Sequence, residues 1–149
     1  MYKKILVPLD GSERAETVLP YVEELAQVFK AKVILLQIIE LTVYQESIHG
    51  YTGAKTFDQY RRETSTQEAK TYLDGVQERL QEKGILSESF IELGPSVQTI
   101  ISIAEKEDAD LIAMASHGRT GLSYVFYGSV AAGILHRVDR PLLLIRAKE

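Results

Sequence analysis

The sequence predicts an α/β domain built on one doubly wound open sheet of five parallel strands, in the order 3-2-1-4-5, with helices on both faces. Three observations predict it. Short apolar runs alternate with amphipathic stretches along the whole chain. The runs are nearly continuous where a strand covered on both faces would be, as in Val33-Ile-Leu-Leu-Gln-Ile-Ile39. Parallel strands joined by helices cross over right-handedly, which makes the doubly wound sheet the economical topology.

The elements follow in order. Residues 4–9 form an apolar first strand that ends at the turn cluster Asp10-Gly11-Ser12. Over 13–30, Ala15, Val18, Leu19, Val22, Leu25, Ala26 and Phe29 recur at three- and four-residue steps, the stripe of an amphipathic helix. Ser12 is its candidate N-cap, since the hydroxyl can accept from an unpaired N–H of the first turn. Residues 33–39 are the second strand. A second helix spans about 63–83, with Ala69, Tyr72, Leu73, Val76 and Leu80 as its stripe and Gly84 as its stop, interrupted at Gly75. Residues 87–93 alternate as a strand, 96–106 are helical, 111–114 are a buried strand, 130–138 are helical, and 141–145 are the last strand.

The segment 41–62 is too long for an ordinary strand-to-helix connection. It carries Tyr44, His49, Tyr51, Phe57 and Tyr60 among polar residues and glycines. It is expected to be an insertion loop of the single domain 1–149. A surface insertion and a lid or partner surface both fit it.

Composition removes several function classes. The 149 residues carry 17 Lys plus Arg against 21 Asp plus Glu, a net charge of −4. That balance argues against a nucleic-acid partner, which would call for a basic excess. There is no cysteine, so disulfide frameworks and Cys-ligated metals are excluded. The opening residues read as a strand and not as a signal peptide, and no run reaches the roughly 18 apolar residues of a membrane span. A cytoplasmic protein without a membrane partner is expected.

In doubly wound sheets ligands bind outside the carboxyl ends of the strands, where strand order reverses. The residues leaving those ends are Pro8-Leu9-Asp10, Ile38-Ile39-Glu40, Gly94-Pro95 and the run from Met114 to Gly118. The last continues into a loop with glycines at 118, 121 and 128, and a helix opens on Gly128-Ser129. Glycines let a ligand approach the backbone, and a helix's first turn presents unpaired N–H groups and partial positive charge. Phosphate is the anion such a cradle suits.

Along almost its entire length the chain resembles the universal stress protein family. The matching stretches are Lys4-Ile-Leu-Val-Pro-Leu-Asp-Gly-Ser12, Val33-Ile-Leu-Leu-Gln-Ile38, the Gly94-Pro95 turn and Asp108-Ala-Asp-Leu-Ile-Ala-Met-Ala-Ser-His-Gly-Arg-Thr-Gly121. Gly128-Ser129-Val130 and Arg140-Pro-Leu-Leu-Leu-Ile145 complete them. The nucleotide-binding branch carries Gly, two residues, Gly, nine residues, then Gly followed by Ser or Thr. Gly118 and Gly128-Ser129 keep that spacing, and Ala115 stands where the first Gly would be. A methyl group there costs little if the backbone keeps strand-like angles, and crowds a ligand or blocks φ > 0 otherwise.

The resemblance implies ATP or a related adenine nucleotide, with Mg as a possible companion. Asp10 would approach the ribose or a nucleotide-bound Mg, and Pro8 and Leu9 would line the base pocket. The Ile38 backbone would meet the adenine. Met114, Ala115 and Gly118 would border the ribose and phosphates, and Gly128, Ser129 and Val130 would hold the phosphate chain. Arg119 has two readings, an approach to phosphate or a solvated loop position. Asp10 reads equally as an Asx-turn and Ser129 as a plain N-cap. The resemblance also implies a homodimer through the 141–145 edge strand, antiparallel across a two-fold axis.

Chemistry beyond binding finds little footing. His49, His117 and His136 form no metal or catalytic set. There is no Walker A sequence, nucleophile elbow, His-Glu-x-x-His or dinucleotide glycine spacing. No general base for water attack on a γ-phosphate stands out, so the chain is not read as a dedicated enzyme. The expected function is an ATP-binding stress-response or regulatory protein, with nucleotide occupancy stabilising or switching the dimer. The alternatives are a slow metal-dependent ATP hydrolase and a nucleotide-free dimeric interaction module with an unknown protein partner.

Overall fold

The structure, a computed structural model, describes residues 1–40, 52–116 and 128–147, with the backbone alone over 52–60. Its elements are β1 (Lys4–Pro8), a 3-10 turn (Ala15–Val18) leading into α1 (Leu19–Phe29), β2 (Lys32–Ile39), α2 (Thr52–Glu82), β3 (Ser87–Leu93), α3 (Ser96–Lys106), β4 (Leu111–Ser116), α4 (Ser129–Arg137) and β5 (Leu142–Arg146). The strands form one sheet in the order β3-β2-β1-β4-β5, and every pairing is parallel. The predicted fold class is the one found.

Strand alternation sorts the core into two layers. Ile5, Val7, Val33, Leu35, Leu111 and Ala113 point to one face, covered by α1 and α2. Leu6, Ile34, Leu36, Ile112 and Met114 point to the other, covered by α3 and α4. Ile5, Leu6 and Val7 are fully buried, as a central parallel strand must be.

Three boundaries differ from the sequence reading by more than one residue. The 13–30 helix begins instead as a 3-10 turn, and regular α-helix starts at Leu19. Pro20 has no N–H to give the Glu16 carbonyl, so Leu19 N–H closes a tighter turn on Glu16 instead. α2 starts at Thr52, well before residue 63, so the second half of the expected 41–62 loop is helix. Residues 52–62 contain no proline, and Gly53 falls in the first turn, where its N–H lacks an intrahelical partner anyway. β4 runs on to Ser116, because Ala115 and Ser116 pair with Ile145 and Arg146 of β5.

The helix stops behave as their residues dictate. Gly84 (φ 75°) ends α2 with paired closing bonds, its own N–H to the Gln81 carbonyl and that of Ile85 to the Leu80 carbonyl. Arg140 reaches back to the end of α3, donating to the Ala104 carbonyl at 2.9 Å and the Ala109 carbonyl at 2.7 Å. No helix among the described residues is long and apolar enough to cross a membrane.

Candidate functional site

β1 and β4 are neighbours, yet their outgoing connections lead to opposite faces of the sheet. A cavity of about 140 Å³ opens at that divergence. Pro8, Leu9 and Asp10 enter it from the end of β1, Ile38 from β2, Met114 and Ala115 from β4, and Val130 from the first turn of α4. Leu9 and Met114 are buried, so its floor is apolar. A wider groove of about 590 Å³ lies against it, between the opening turns of α3 and α4, and Ser129 and Arg137 line it.

Asp10 fulfils the Asx-turn reading. Its Oδ1 accepts from the Ser12 N–H at 2.9 Å and from the Ser12 hydroxyl at 2.5 Å. The Ser12 hydroxyl in turn accepts from the Ala15 N–H at 3.1 Å, but Ser12 is not the expected N-cap, since Arg14 directly precedes the 3-10 turn. Among the described residues Oδ2 takes no hydrogen bond, and Asp10 is exposed at the cavity's mouth. The turn aims the carboxylate and leaves one oxygen for a ligand.

Gly128 sits at φ 86° and ψ 154°, a combination that only glycine adopts without strain. That backbone turns the chain so that Ser129 and Val130 open α4 at the rim of both hollows. Unpaired N–H groups and the positive end of the helix dipole therefore face the groove. Ala115 lies within β4 opposite Ile145 and is absent from the positive-φ residues, so its methyl group strains nothing. Gly118 and Arg119 fall outside the described residues, as do His49 and His117.

Other residues of the site escape sequence reading. Leu36, Ile100 and Ala131 also line the cavity, although periodicity marks them only as core. Ser96, at the start of α3, lines both hollows. Behind the Asp10 turn, Glu16 receives the Tyr72 hydroxyl at 2.8 Å and the Arg79 guanidinium at 2.9 Å. Burial is the main cause that pushes the Tyr72 phenol well above its usual range, followed by its hydrogen bond to Glu16 and the charges of Glu16 and Asp10. The hydrogen bond to Glu16 likewise raises Arg79. Helix α2 is thereby pinned to the segment that follows Asp10.

The model of the universal stress protein family matches residues 1–146. Universal stress protein MJ0577 of Methanocaldococcus jannaschii is 33% identical over 99% of this chain and 97% of its own length. The solved structure of MJ0577 superposes with a TM-score of 0.83 at 32% identity, covering 100% of this chain and 99% of that one. Two more distant structures share the fold. A universal stress protein from Archaeoglobus fulgidus in complex with dAMP has a TM-score of 0.68 at 22% identity, over 97% of this chain and 98% of that one. A universal stress protein in complex with cAMP has a TM-score of 0.66 at 19% identity, over 99% and 98%. With a match that begins at the first residue and runs through β5, the chain belongs to the universal stress protein family.

Proposed function

We propose that this chain binds an adenine nucleotide, ATP in the first place, at the point where β1 and β4 diverge. The base occupies the apolar cavity, with Pro8, Leu9 and the Ile38 backbone around it. The ribose lies by Asp10 and Ala115. The phosphates run toward the N–H groups of Gly128, Ser129 and Val130, with Gly118 and Arg119 as the proposed contribution of the glycine loop. The observation that carries this reading is the Gly128 backbone, which opens a helix N-terminus onto the rim of an apolar cavity. The dAMP and cAMP complexes of structural relatives favour an adenine ligand.

Any Mg arrives with the phosphates. Among the described residues no cluster of three or more His, Asp or Glu could hold an ion unaided, and Asp10 offers it one free carboxylate oxygen. The role is regulatory: a cytoplasmic stress protein in which nucleotide occupancy stabilises or switches a homodimer formed through β5. No enzymatic step is assigned. Denaturing the purified protein and running the supernatant on an ion-exchange column should release an adenine nucleotide. Emptied protein should bind ATP in titration calorimetry. A chain that carries no nucleotide and gives no heat with ATP would overturn the reading.

A further inference from the structure

Asp10 and Ser96 are the only polar residues among the described residues lining the apolar cavity. Ser96 is the first residue of α3, and its hydroxyl donates to Glu40 Oε1 at 2.5 Å. An ionised carboxylate can only accept, so the single Ser96 proton is committed to Glu40. What Ser96 offers a ligand in the cavity is therefore a lone pair and no proton. The partial positive charge at the opening turn of α3 helps hold the Glu40 carboxylate there.

We propose that Ser96 is a specificity-determining residue of the base site, with Glu40 as the positioning residue that fixes its polarity. An acceptor at this wall suits a purine with an exocyclic amino group at position 6. A purine with a carbonyl at the same position would set acceptor against acceptor and leave both unpaired. The matched base gains about one hydrogen bond at this wall and the mismatched one does not, a modest discrimination because the Ser96–Glu40 pair is open to solvent on its groove side. The inference rests on the adenine-nucleotide reading above and adds the element that selects the base.

The test compares ATP with inosine triphosphate, which carries the carbonyl, by titration calorimetry on the full chain. The unmodified protein should prefer ATP by about tenfold, the worth of one such mismatch. Ser96→Ala should weaken ATP and lower the ratio severalfold, with the Ile38 backbone still reading the base, while Ser96→Thr, which keeps the hydroxyl, should preserve it. Glu40→Gln is the sharper variant. Its amide can donate to Ser96 and free the serine proton for a carbonyl, so inosine triphosphate should gain relative to ATP. A merely structural role for Glu40 would not move that ratio. Folded Ser96→Ala and Glu40→Gln proteins that keep the original ratio would overturn this inference and leave nucleotide binding standing. Equal affinities in the unmodified protein would overturn it as well. An unmodified protein that binds neither triphosphate would overturn both readings.

Discussion

Gly133 of α4 faces Val97 of α3 so closely that a Cβ built on the glycine would lie 2.6 Å from Val97 Cγ2. The two helices approach at this point because residue 133 has no side chain. Gly133→Ala gains about 1 kcal/mol of helix propensity, but overpacking costs about 1–3 kcal/mol, so a net loss of stability is expected. Adding Val97→Ala should recover much of it. A double-mutant cycle in urea that shows no coupling between the two positions would contradict the contact.

Gly128→Val should reduce ATP affinity about tenfold or more, since a β-branched side chain cannot hold φ 86° and ψ 154° without strain. Ala115→Gly should leave affinity within about twofold of the original or tighten it, because residue 115 already has strand geometry. Calorimetry on folded variants checks both. Weaker binding by the glycine variant would show that the methyl group contributes contacts.

The fold was legible in the sequence because burial writes itself as periodicity. The run 33–39 and the stripes of α1 and α2 pointed to the right elements. The 3-10 start at Ala15 was also written there, in Pro20, but a strong apolar stripe hid it. Gly133 could not be read, since its meaning depends on Val97 arriving from another helix. The same holds for Ser96 with Glu40 and for Tyr72 with Glu16, which lie 56 residues apart in each case. Cavity residues such as Leu36 and Ile100 look like core from sequence because they are core on one side and cavity wall on the other.

Tyr72 gives stability an alkaline dependence. Its phenol holds its proton more tightly in the folded chain than at the ordinary value of 10.0. That contribution is fully present below 10.0 and disappears as pH rises toward the higher folded value. Urea unfolding of the unmodified protein should therefore weaken above pH 10.0 more steeply than that of Tyr72→Phe. At neutral pH the variant should lose about 1 kcal/mol with its Glu16 hydrogen bond. Parallel alkaline profiles would count against the clamp.

Proline probes the edge of β5 selectively. The Pro141 carbonyl accepts from Ile112 N–H and the Ala147 N–H donates to Ser116, so odd-numbered residues of this strand bond to β4. Leu144 therefore turns its N–H to the open edge. Leu144→Pro should split the proposed dimer while the fold survives. Leu143→Pro removes a bond to β4 and should destabilise the monomer itself. Light scattering paired with circular dichroism separates the two. An unmodified protein that is monomeric at micromolar concentration would remove the dimer.

Gly75 lies in α2 with nothing within 4 Å of where a Cβ would stand. Gly75→Ala should raise stability by about 0.5–1 kcal/mol through helix propensity and a less flexible unfolded chain. A lower melting temperature would mean that the exposed face of α2 meets something the glycine accommodates.

The pairing of β1 with both β2 and β4 also governs how the chain comes off the ribosome. Lys4 meets Asp110 across 106 residues of sequence, so one flank of β1 stays unpaired until β4 has emerged. Until then Ile5, Leu6 and Val7 present an unpaired apolar edge, the surface most prone to capture by another nascent chain. Closure of that edge is a late, non-local event and should limit the folding rate. Translation products that stop short of Leu111 lack the strand that seals it, and they should accumulate as aggregates and not as shortened soluble domains.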